Sequence, residues 1–230
     1  MVMTEGASRK HGPTLRDFVG DLIWSELTSD AYSRSHPPGT ILLRQGEKGT
    51  HLLALLDGVA KVVRTGRSGE STLLAFRGPG ELLGEVAVLD GGERGATVET
   101  LTRCTVVVVK ADDFLRFATQ RDIFPALVRY AFGRLRESDR ARGTGNALAR
   151  LADTLVSLAH MSGHPPPGAP APLDLALTRD ELAQYLGTSR NTITAKLAEL
   201  ESCHVETAGR RHIVINDLSA LRRTAALLRR

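Results

Sequence analysis

Cysteines and long apolar runs are scarce in this chain. Its 230 residues include only two cysteines, Cys104 and Cys203. Two distant cysteines fit reduced thiols in a cytosolic protein better than a disulfide framework, and they cannot build a four-cysteine cluster within one chain. The longest apolar runs, at 52–56 and 106–109, are as long as a strand and far below the ~20 residues that span a bilayer. We therefore expect a cytoplasmic protein that does not cross a membrane.

The chain also has no strong excess of charge of one sign. Its formal net charge is +4, and its contents of 42% hydrophobic and 24% charged residues are ordinary globular values. Such a charge permits an anionic partner without identifying one. The length favours two compact domains joined by a connector. Residues 1–14 lack the apolar core of a secretory signal, and we predict that residues 1–20 form a disordered tail.

Residues from about 39 to 109 alternate short β-rich runs with glycine-containing turns at 57–58, 67–69, 77–80 and 90–92. Strands at this spacing predict an antiparallel roll or sandwich. Farther along, apolar residues recur at helical spacing and predict a long helix. Its apolar stripe suits pairing with a second copy of the chain, and the alternative is packing onto its own roll. The predicted dimer residues are Phe124, Leu127, Val128, Ala131 and Leu135.

The connector is predicted at 143–146, where two glycines interrupt the helical pattern. A second helix is expected from about 147 to 161, followed by a proline-rich loop over 164–172. Thr178 and Glu181 then have the spacing of a capping box, which marks the start of a new helix. Gly187 can end this helix in a tight turn, and Ser189 is a good N-cap for the next one.

The helix after Ser189 is the candidate DNA-reading element. Ile193, Leu197 and Leu200 recur at i, i+4 and i+7 and are expected to face the core. Asn191, Ala195 and Ala198 then point away from the core, and Arg190 and Thr194 lie at the sides of the helix. The N-terminal turns therefore present an Arg, an Asn and a Thr, which are suited to phosphates and base edges. Two short β-rich runs, 205–207 and 212–215, flank a basic turn and predict a hairpin wing. An ordinary helical hairpin with a solvated edge is the alternative, and the joint occurrence of these features favours DNA binding.

The roll contains a candidate effector site. Gly84 and Glu85 are followed by Arg94, Gly95 and Ala96, so that a carboxylate and a guanidinium flank a glycine-rich turn. A carboxylate can accept hydrogen bonds from ribose hydroxyls, and an arginine can bind a phosphate through two parallel hydrogen bonds. The glycines let backbone N–H groups approach that phosphate. The alternative is a simple surface ion pair.

From about residue 40 to 215 the chain resembles the Crp/Fnr superfamily of transcription regulators. The superfamily's phosphate-binding cassette reads G-E, a spacer, then R-S/T-A, and it corresponds to Gly84-Glu85 and Arg94-Gly95-Ala96. The recognition-helix motif S-R-E-T-V corresponds to residues 189–193. The resemblance implies that Glu85 holds a ribose 2′-hydroxyl, that Arg94 binds a cyclic phosphate, and that Ser138 and Asp139 approach the base.

The implied fold class is α+β, with an N-terminal antiparallel β-roll of the cyclic-nucleotide-binding jelly-roll type, a long dimerisation helix and a C-terminal winged helix-turn-helix. The expected boundaries are 21–118 for the effector domain, 119–145 for the dimerisation helix and hinge, and 146–230 for the DNA-binding domain. No enzyme activity, cofactor or metal is expected. The expected partners are a palindromic duplex, a second copy of the chain, a cyclic nucleotide such as cAMP or another small ligand, and RNA polymerase. The expected DNA-binding residues are Thr178, Ser189, Arg190, Asn191, Thr192, Thr194, Lys196, Arg210 and Arg211.

Three departures from the family pattern keep alternatives open. Gly95 stands where the cassette carries a hydroxyl, which leaves room for a dimer with a degenerate effector pocket or a different ligand. Asn191 and Ala195 replace a Glu and an Arg, so that a different operator is expected. The hinge segment is about one turn shorter, which leaves the direction of switching open. A haem sensor using His51 or Cys104, and a cupin-type metalloenzyme needing clustered histidines, are less favoured because the seven histidines are scattered.

Overall fold

A computed structural model describes residues 12–29, 32–141, 146–163, 172–203, 205–209 and 211–228. Residues 137–141, 203, 207 and 208 are described by their main chain alone. None of the helices in these ranges is long and apolar enough to cross a membrane.

Two short helices precede the roll, α1 (Leu15–Val19) and α2 (Asp21–Ser29). Thr14 caps α1 in a capping box with Asp17, and the Leu15 side chain is fully buried. The prediction of a disordered tail over 1–20 is therefore wrong for residues 15–19. A helix this short is marginal alone, and burial of Leu15 against the roll stabilises it.

The roll is antiparallel, as predicted. Its strands are β1 (Ser33–His36), β2 (Ile41–Leu43), β3 (His51–Asp57), β4 (Ala60–Thr65), β5 (Ser71–Arg77), β6 (Glu81–Leu83), β7 (Thr97–Thr100) and β8 (Cys104–Lys110). They form two four-stranded sheets, one of order β1-β8-β3-β6 and the other of order β2-β7-β4-β5. The two apolar runs of the sequence lie in β3 and β8, which pair with each other and are mostly buried, with Val108 exposed.

Three helices complete the N-terminal half: α3 (Glu85–Leu89), α4 (Ala111–Gln120) and the long α5 (Phe124–Ala141). One face of α5 packs against α1 and shares an apolar cluster with the roll and α2. Leu127 and Tyr130 belong to the same apolar cluster as Trp24, Leu52 and Phe114. The assignment of Leu127 to the dimer face is therefore wrong, because this side chain is 5% exposed and belongs to the intramolecular core.

The C-terminal half contains α6 (Ala147–Met161), β9 (Leu173–Leu175), α7 (Arg179–Tyr185), α8 (Arg190–Glu199), a short 3-10 helix (Glu201–Cys203), β10 (Val205–Ala208), β11 (His212–Ile215) and α9 (Leu218–Leu227). β10 and β11 form the predicted wing, and β9 joins them in a sheet of order β10-β11-β9. Asn146 caps α6 by accepting a hydrogen bond from the Leu148 N–H. Most of the predicted hinge and proline-rich loop lies outside the described residues.

Candidate nucleic-acid interface and effector site

The candidate recognition helix α8 is built as the sequence pattern indicates. Ser189 caps it by accepting a hydrogen bond from the Thr192 N–H at 3.0 Å. Ile193 and Leu197 are buried in the domain core. Because these apolar residues occupy one side, the N-terminal turns of α8 present their polar residues to solvent.

Arg190 and Asn191 are both exposed on α8. The Arg190 guanidinium Nε lies 3.7 Å from Asp180 Oδ1, and both side chains are 59% exposed. An ion pair so open to water stabilises the fold little, so that an incoming phosphate or base can replace it. Thr194 is exposed as well, and its hydroxyl donates to the Arg190 carbonyl at 3.0 Å. The exposed surface therefore offers a guanidinium, an amide and a threonine methyl.

Several residues predicted to bind DNA have their polar atoms engaged within the domain. The Thr178 hydroxyl accepts from the Glu181 N–H at 3.1 Å and donates to Glu181 Oε2 at 3.0 Å. The hydroxyls of Ser189 and Thr192 lie 2.8 Å apart. Lys196 Nζ lies 2.6 Å from Glu199 Oε1 on the surface. The three hydroxyls shape the helix ends, whereas the Lys196 pair is exposed and exchangeable.

The wing forms the predicted antiparallel hairpin. Val205 pairs with Ile215, and Thr207 pairs with Ile213. Arg211 is exposed at the tip, whereas Arg210 lies outside the described residues. A guanidinium at this position is suited to a phosphate.

The candidate effector cassette is centred on Arg94, which is 4% exposed. Its Nη1 donates to the Gly84 carbonyl at 2.6 Å, and its Nη2 donates to the His51 carbonyl. Gly84 has a φ of +81°, and a Cβ built there would lie 2.3 Å from Nη1 of Arg94. Both the backbone conformation and the approach of the guanidinium therefore require glycine at this position.

Glu85 is the first residue of α3 and is half-buried next to this arginine. Loss of hydration raises the pKa of the Glu85 carboxyl above its ordinary value, and Arg77, Arg134 and Arg94 oppose that rise. Gly95 is exposed and Ala96 is half-buried, close to Arg94 in the chain. Ser138 and Asp139 lie in the last turn of α5, and their side chains are outside the described part.

A buried polar cluster beside the cassette was not predicted from the sequence. Glu81 on β6 is 3% exposed and forms an ion pair with Arg134 on α5. Arg77 Nε lies 3.6 Å from Glu81 Oε2, and the Arg134 guanidinium lies 4.5 Å from the Tyr130 ring centroid. Burial raises the pKa of the Tyr130 hydroxyl. Glu81 and Arg134 are 53 residues apart. Local sequence patterns therefore could not predict this ion pair, which joins α5 to β6, the strand just before the cassette.

The outer face of α5 carries an apolar stripe. Phe124, Val128, Phe132 and Leu135 are 40%, 54%, 58% and 63% exposed in the single chain. Ala131 is exposed among them. Phe132 was missed by the sequence analysis, although it lies four residues after Val128 and eight after Phe124, a spacing that places it on the same side of a helix.

The thiol considered as a haem ligand is unsuited to that role. Cys104 is fully buried in the roll, and its Sγ donates to the Val59 carbonyl at 3.2 Å. Burial raises the pKa of the thiol to about 12. A metal binds the thiolate, and the burial and raised pKa of this thiol both oppose formation of that thiolate.

Comparisons with known proteins agree with these features. The chain matches the cyclic nucleotide-binding domain family over residues 33–121 and the Crp-like helix-turn-helix domain family over residues 149–224. A CRP-like cAMP-activated global transcriptional regulator of Mycobacterium tuberculosis is 29% identical over 209 residues, which cover 86% of this chain and 90% of that protein. The cAMP-activated global transcriptional regulator CRP of Salmonella typhimurium is 28% identical over 195 residues, 81% of this chain and 90% of that protein.

Solved structures share the fold. The crystal structure of a CRP-family transcriptional regulator from Thermus thermophilus superimposes with a TM-score of 0.63 at 23% identity, covering 84% of this chain and 96% of that chain. The two matched domains occur in the same order as the roll and the winged helix-turn-helix described above. The chain therefore belongs to the Crp/Fnr superfamily of bacterial transcription regulators, as its cassette and recognition-helix motifs predicted.

Proposed function

We propose that this protein is a homodimeric cytoplasmic regulator that binds a palindromic operator through α8 and the wing. The observation that carries the proposal is the exposed Arg190 and Asn191 pair on a capped, core-anchored helix. Arginine binds guanine or phosphate through paired hydrogen bonds, and asparagine can bind adenine through N6 and N7. A rigid helix that presents both groups is suited to the major groove.

Dimerisation is supported by the exposed stripe of Phe124, Val128, Phe132 and Leu135 on α5. Large apolar side chains along one helix face are removed from water when a second copy of the chain covers them, and this burial stabilises the dimer. Two copies joined along α5 would place two recognition helices on one duplex. The corresponding half-sites lie about one helical turn, ~34 Å, apart.

The test is selection of bound duplexes from a random pool, followed by titration of the selected site. We expect an inverted repeat to be enriched. Arg190→Ala should weaken binding by about tenfold to a hundredfold, since one base-edge contact contributes about 1–3 kcal/mol. Arg223→Ala on α9 is the matched control, because Arg223 is an exposed arginine of the same domain outside α8 and the wing. Recovery of unrelated sequences, or equal losses in both variants, would refute the proposal.

The effector proposed for the roll is a cyclic nucleotide, with cAMP as the first candidate because the curated relatives are named as cAMP-activated. Glycines and a guanidinium meet at the cassette, as an anionic phosphate requires. Arg94 donates to two protein carbonyls, which engages two of the five N–H groups of its guanidinium. A phosphate therefore either binds the remaining N–H groups or replaces one of these hydrogen bonds, and a replacement lowers the net gain from the new contact.

Calorimetry with cAMP, cGMP and cyclic dinucleotides tests this effector. We expect one of them to bind the wild type, Arg94→Ala to abolish binding, and Gly95→Ser to tighten it by restoring the hydroxyl of the family pattern. Gly95 is exposed, and a Cβ built there meets open space among the described residues, so this variant should fold. Absence of binding to both wild type and Gly95→Ser would exclude a cyclic-nucleotide effector.

A second candidate function is a dimer that binds DNA without a ligand. The engagement of Arg94 with the carbonyls of Gly84 and His51 favours it, because the arginine then has a purely structural role. Operator affinity that is unchanged by every cyclic nucleotide would support this alternative.

A further inference from the structure

Lys61 on β4 is a buried charge whose partners come from both halves of the chain. Its side chain is 5% exposed, and its Nζ lies 2.6 Å from Glu181 Oε1 and 3.4 Å from Glu99 Oε1. The same ammonium donates to the Ala176 carbonyl at 3.1 Å. Glu99 belongs to the roll, whereas Ala176 and Glu181 belong to the helix-turn-helix half. A buried ammonium is costly unless several acceptors surround it, and here two of the three acceptors come from the other domain.

The contacts around Lys61 form a continuous interface between the second sheet of the roll and α7. The Leu73 N–H donates to Gln184 Oε1 at 3.1 Å, and the Ala176 N–H donates to the Leu101 carbonyl at 3.0 Å. The rings of Phe76 and Tyr185 meet edge to face, with 4.7 Å between their centroids. Side chains of the roll share one apolar cluster with the helix-turn-helix core: Val59, Leu73, Phe76 and Leu101.

We propose that Lys61 is an interdomain latch that keeps the helix-turn-helix docked on the roll of its own chain. Without this cation, the carboxylates of Glu99 and Glu181 would lie near each other at the interface with no positive charge between them. Their repulsion, in a site with little water, would oppose docking. The latch acts on α7, the helix that precedes α8, and so fixes the orientation of the proposed recognition helix. Only this last consequence rests on the proposed function.

Glu181 allows the latch to be separated from the helix cap. Its Oε2 accepts from the Thr178 N–H at 2.8 Å, while its Oε1 faces Lys61. A glutamine also completes a capping box, so E181Q keeps the cap and removes the charge that attracts Lys61. Glu99 supplies the matched control, because it pairs directly with Lys61 across the β4–β7 ladder within the roll. E99Q removes an equal charge from the same ammonium without touching the second domain.

Hydrogen exchange followed residue by residue by NMR on the full-length protein, with neither DNA nor ligand, tests the latch. The Ala176 and Leu73 amides report docking directly, because each donates across the interface. In E181Q we expect both to exchange about tenfold to a hundredfold faster, which corresponds to loss of one hydrogen bond between charged groups. K61M should reproduce the effect from the roll side. E99Q should leave both rates within about twofold of the wild type.

The Ile193 amide, which donates to the carbonyl of the N-cap Ser189 in the first turn of α8, serves as the internal reference. Its exchange should be unchanged in E181Q. Wild-type rates at Ala176 and Leu73 in E181Q, equal acceleration by E99Q, or acceleration that includes Ile193 would each overturn the latch. Since no DNA is present, these outcomes are independent of operator selection, and failure of either proposal leaves the other intact.

Discussion

The two arginines on which the proposed sites depend are held in opposite ways. Arg94 in the roll is 4% exposed and donates to two backbone carbonyls. Arg190 on α8 is 59% exposed and has an ion-pair partner at 3.7 Å. The proposed DNA-binding surface is therefore formed in advance and loses mainly water and counterions on binding. At the proposed effector site, Arg94 has only the N–H groups not already bonded to Gly84 and His51 for a phosphate, unless one of those hydrogen bonds is exchanged.

The same contrast divides α5 into two faces. Leu127, Tyr130 and Arg134 face the roll, whereas Phe124, Val128 and Phe132 are exposed. Because Arg134 pairs with Glu81 on β6, the inner face links α5 to the strand that leads into the cassette. We infer that the inner face couples α5 to the roll and that the outer face joins two copies of the chain. A single helix would then carry both the contact with the roll and the dimer contact.

The largest effect is expected for Phe132→Glu on the outer face. Two buried carboxylates at a dimer seam are strongly unfavourable, and a monomer loses the avidity of a second half-site. Operator affinity should fall by about a hundredfold or more, and sedimentation velocity should show a single protomer. Leu22→Glu on α2 is the control, because Leu22 is an exposed leucine (88%) outside the stripe. A dimer that persists in Phe132→Glu would contradict the assigned seam.

The comparison between the two arginines predicts a large loss of stability for one substitution and almost none for the other. Arg94→Ala removes two charge-assisted hydrogen bonds and leaves the Gly84 and His51 carbonyls without this donor, so the free energy of unfolding should fall by about 3 kcal/mol. Arg190→Ala should change it by less than about 0.5 kcal/mol, as expected for an exposed side chain. Urea denaturation of both variants measures the difference. Equal losses would mean that Arg94 is as loosely held as Arg190.

Local patterns predicted more of this molecule than long-range contacts did. The roll, the capping box at Thr178 and the N-cap at Ser189 depend on neighbouring residues, and all three were predicted. The latch joins Lys61 to a glutamate 120 positions away, and no local rule pairs them. The one feature of the sequence that points to this contact is the position of Lys61 within an apolar strand. Leu127 was misplaced because helical periodicity defines an apolar arc of about 100° without saying where the roll ends and a partner begins.

A smaller effect is expected at the glycine next to Arg94. Gly84→Ala should destabilise the roll by about 2 kcal/mol, because a Cβ at a φ of +81° is strained and would displace the guanidinium. Gly91→Ala is the matched control. Gly91 has a φ of +69°, and its Cβ would meet open space among the described residues, so only the backbone strain of about 1 kcal/mol applies. Thermal unfolding of both variants isolates the contacts of the added Cβ with Arg94 and with Leu43, and equal losses would show that the cassette tolerates a shift of these side chains.

The smallest effect concerns Thr178, which the sequence assigned to DNA and the structure places in a cap. Thr178→Ala removes the hydroxyl that accepts from the Glu181 N–H and should lower the free energy of unfolding by about 1 kcal/mol. Thr178→Ser keeps a capping hydroxyl and should restore most of this loss. If the hydroxyl acts only as a cap, operator affinity measured well below the unfolding temperature should change by less than about threefold in either variant. A tenfold loss of affinity in Thr178→Ala that Thr178→Ser restores would instead indicate that Thr178 contacts DNA together with Arg190.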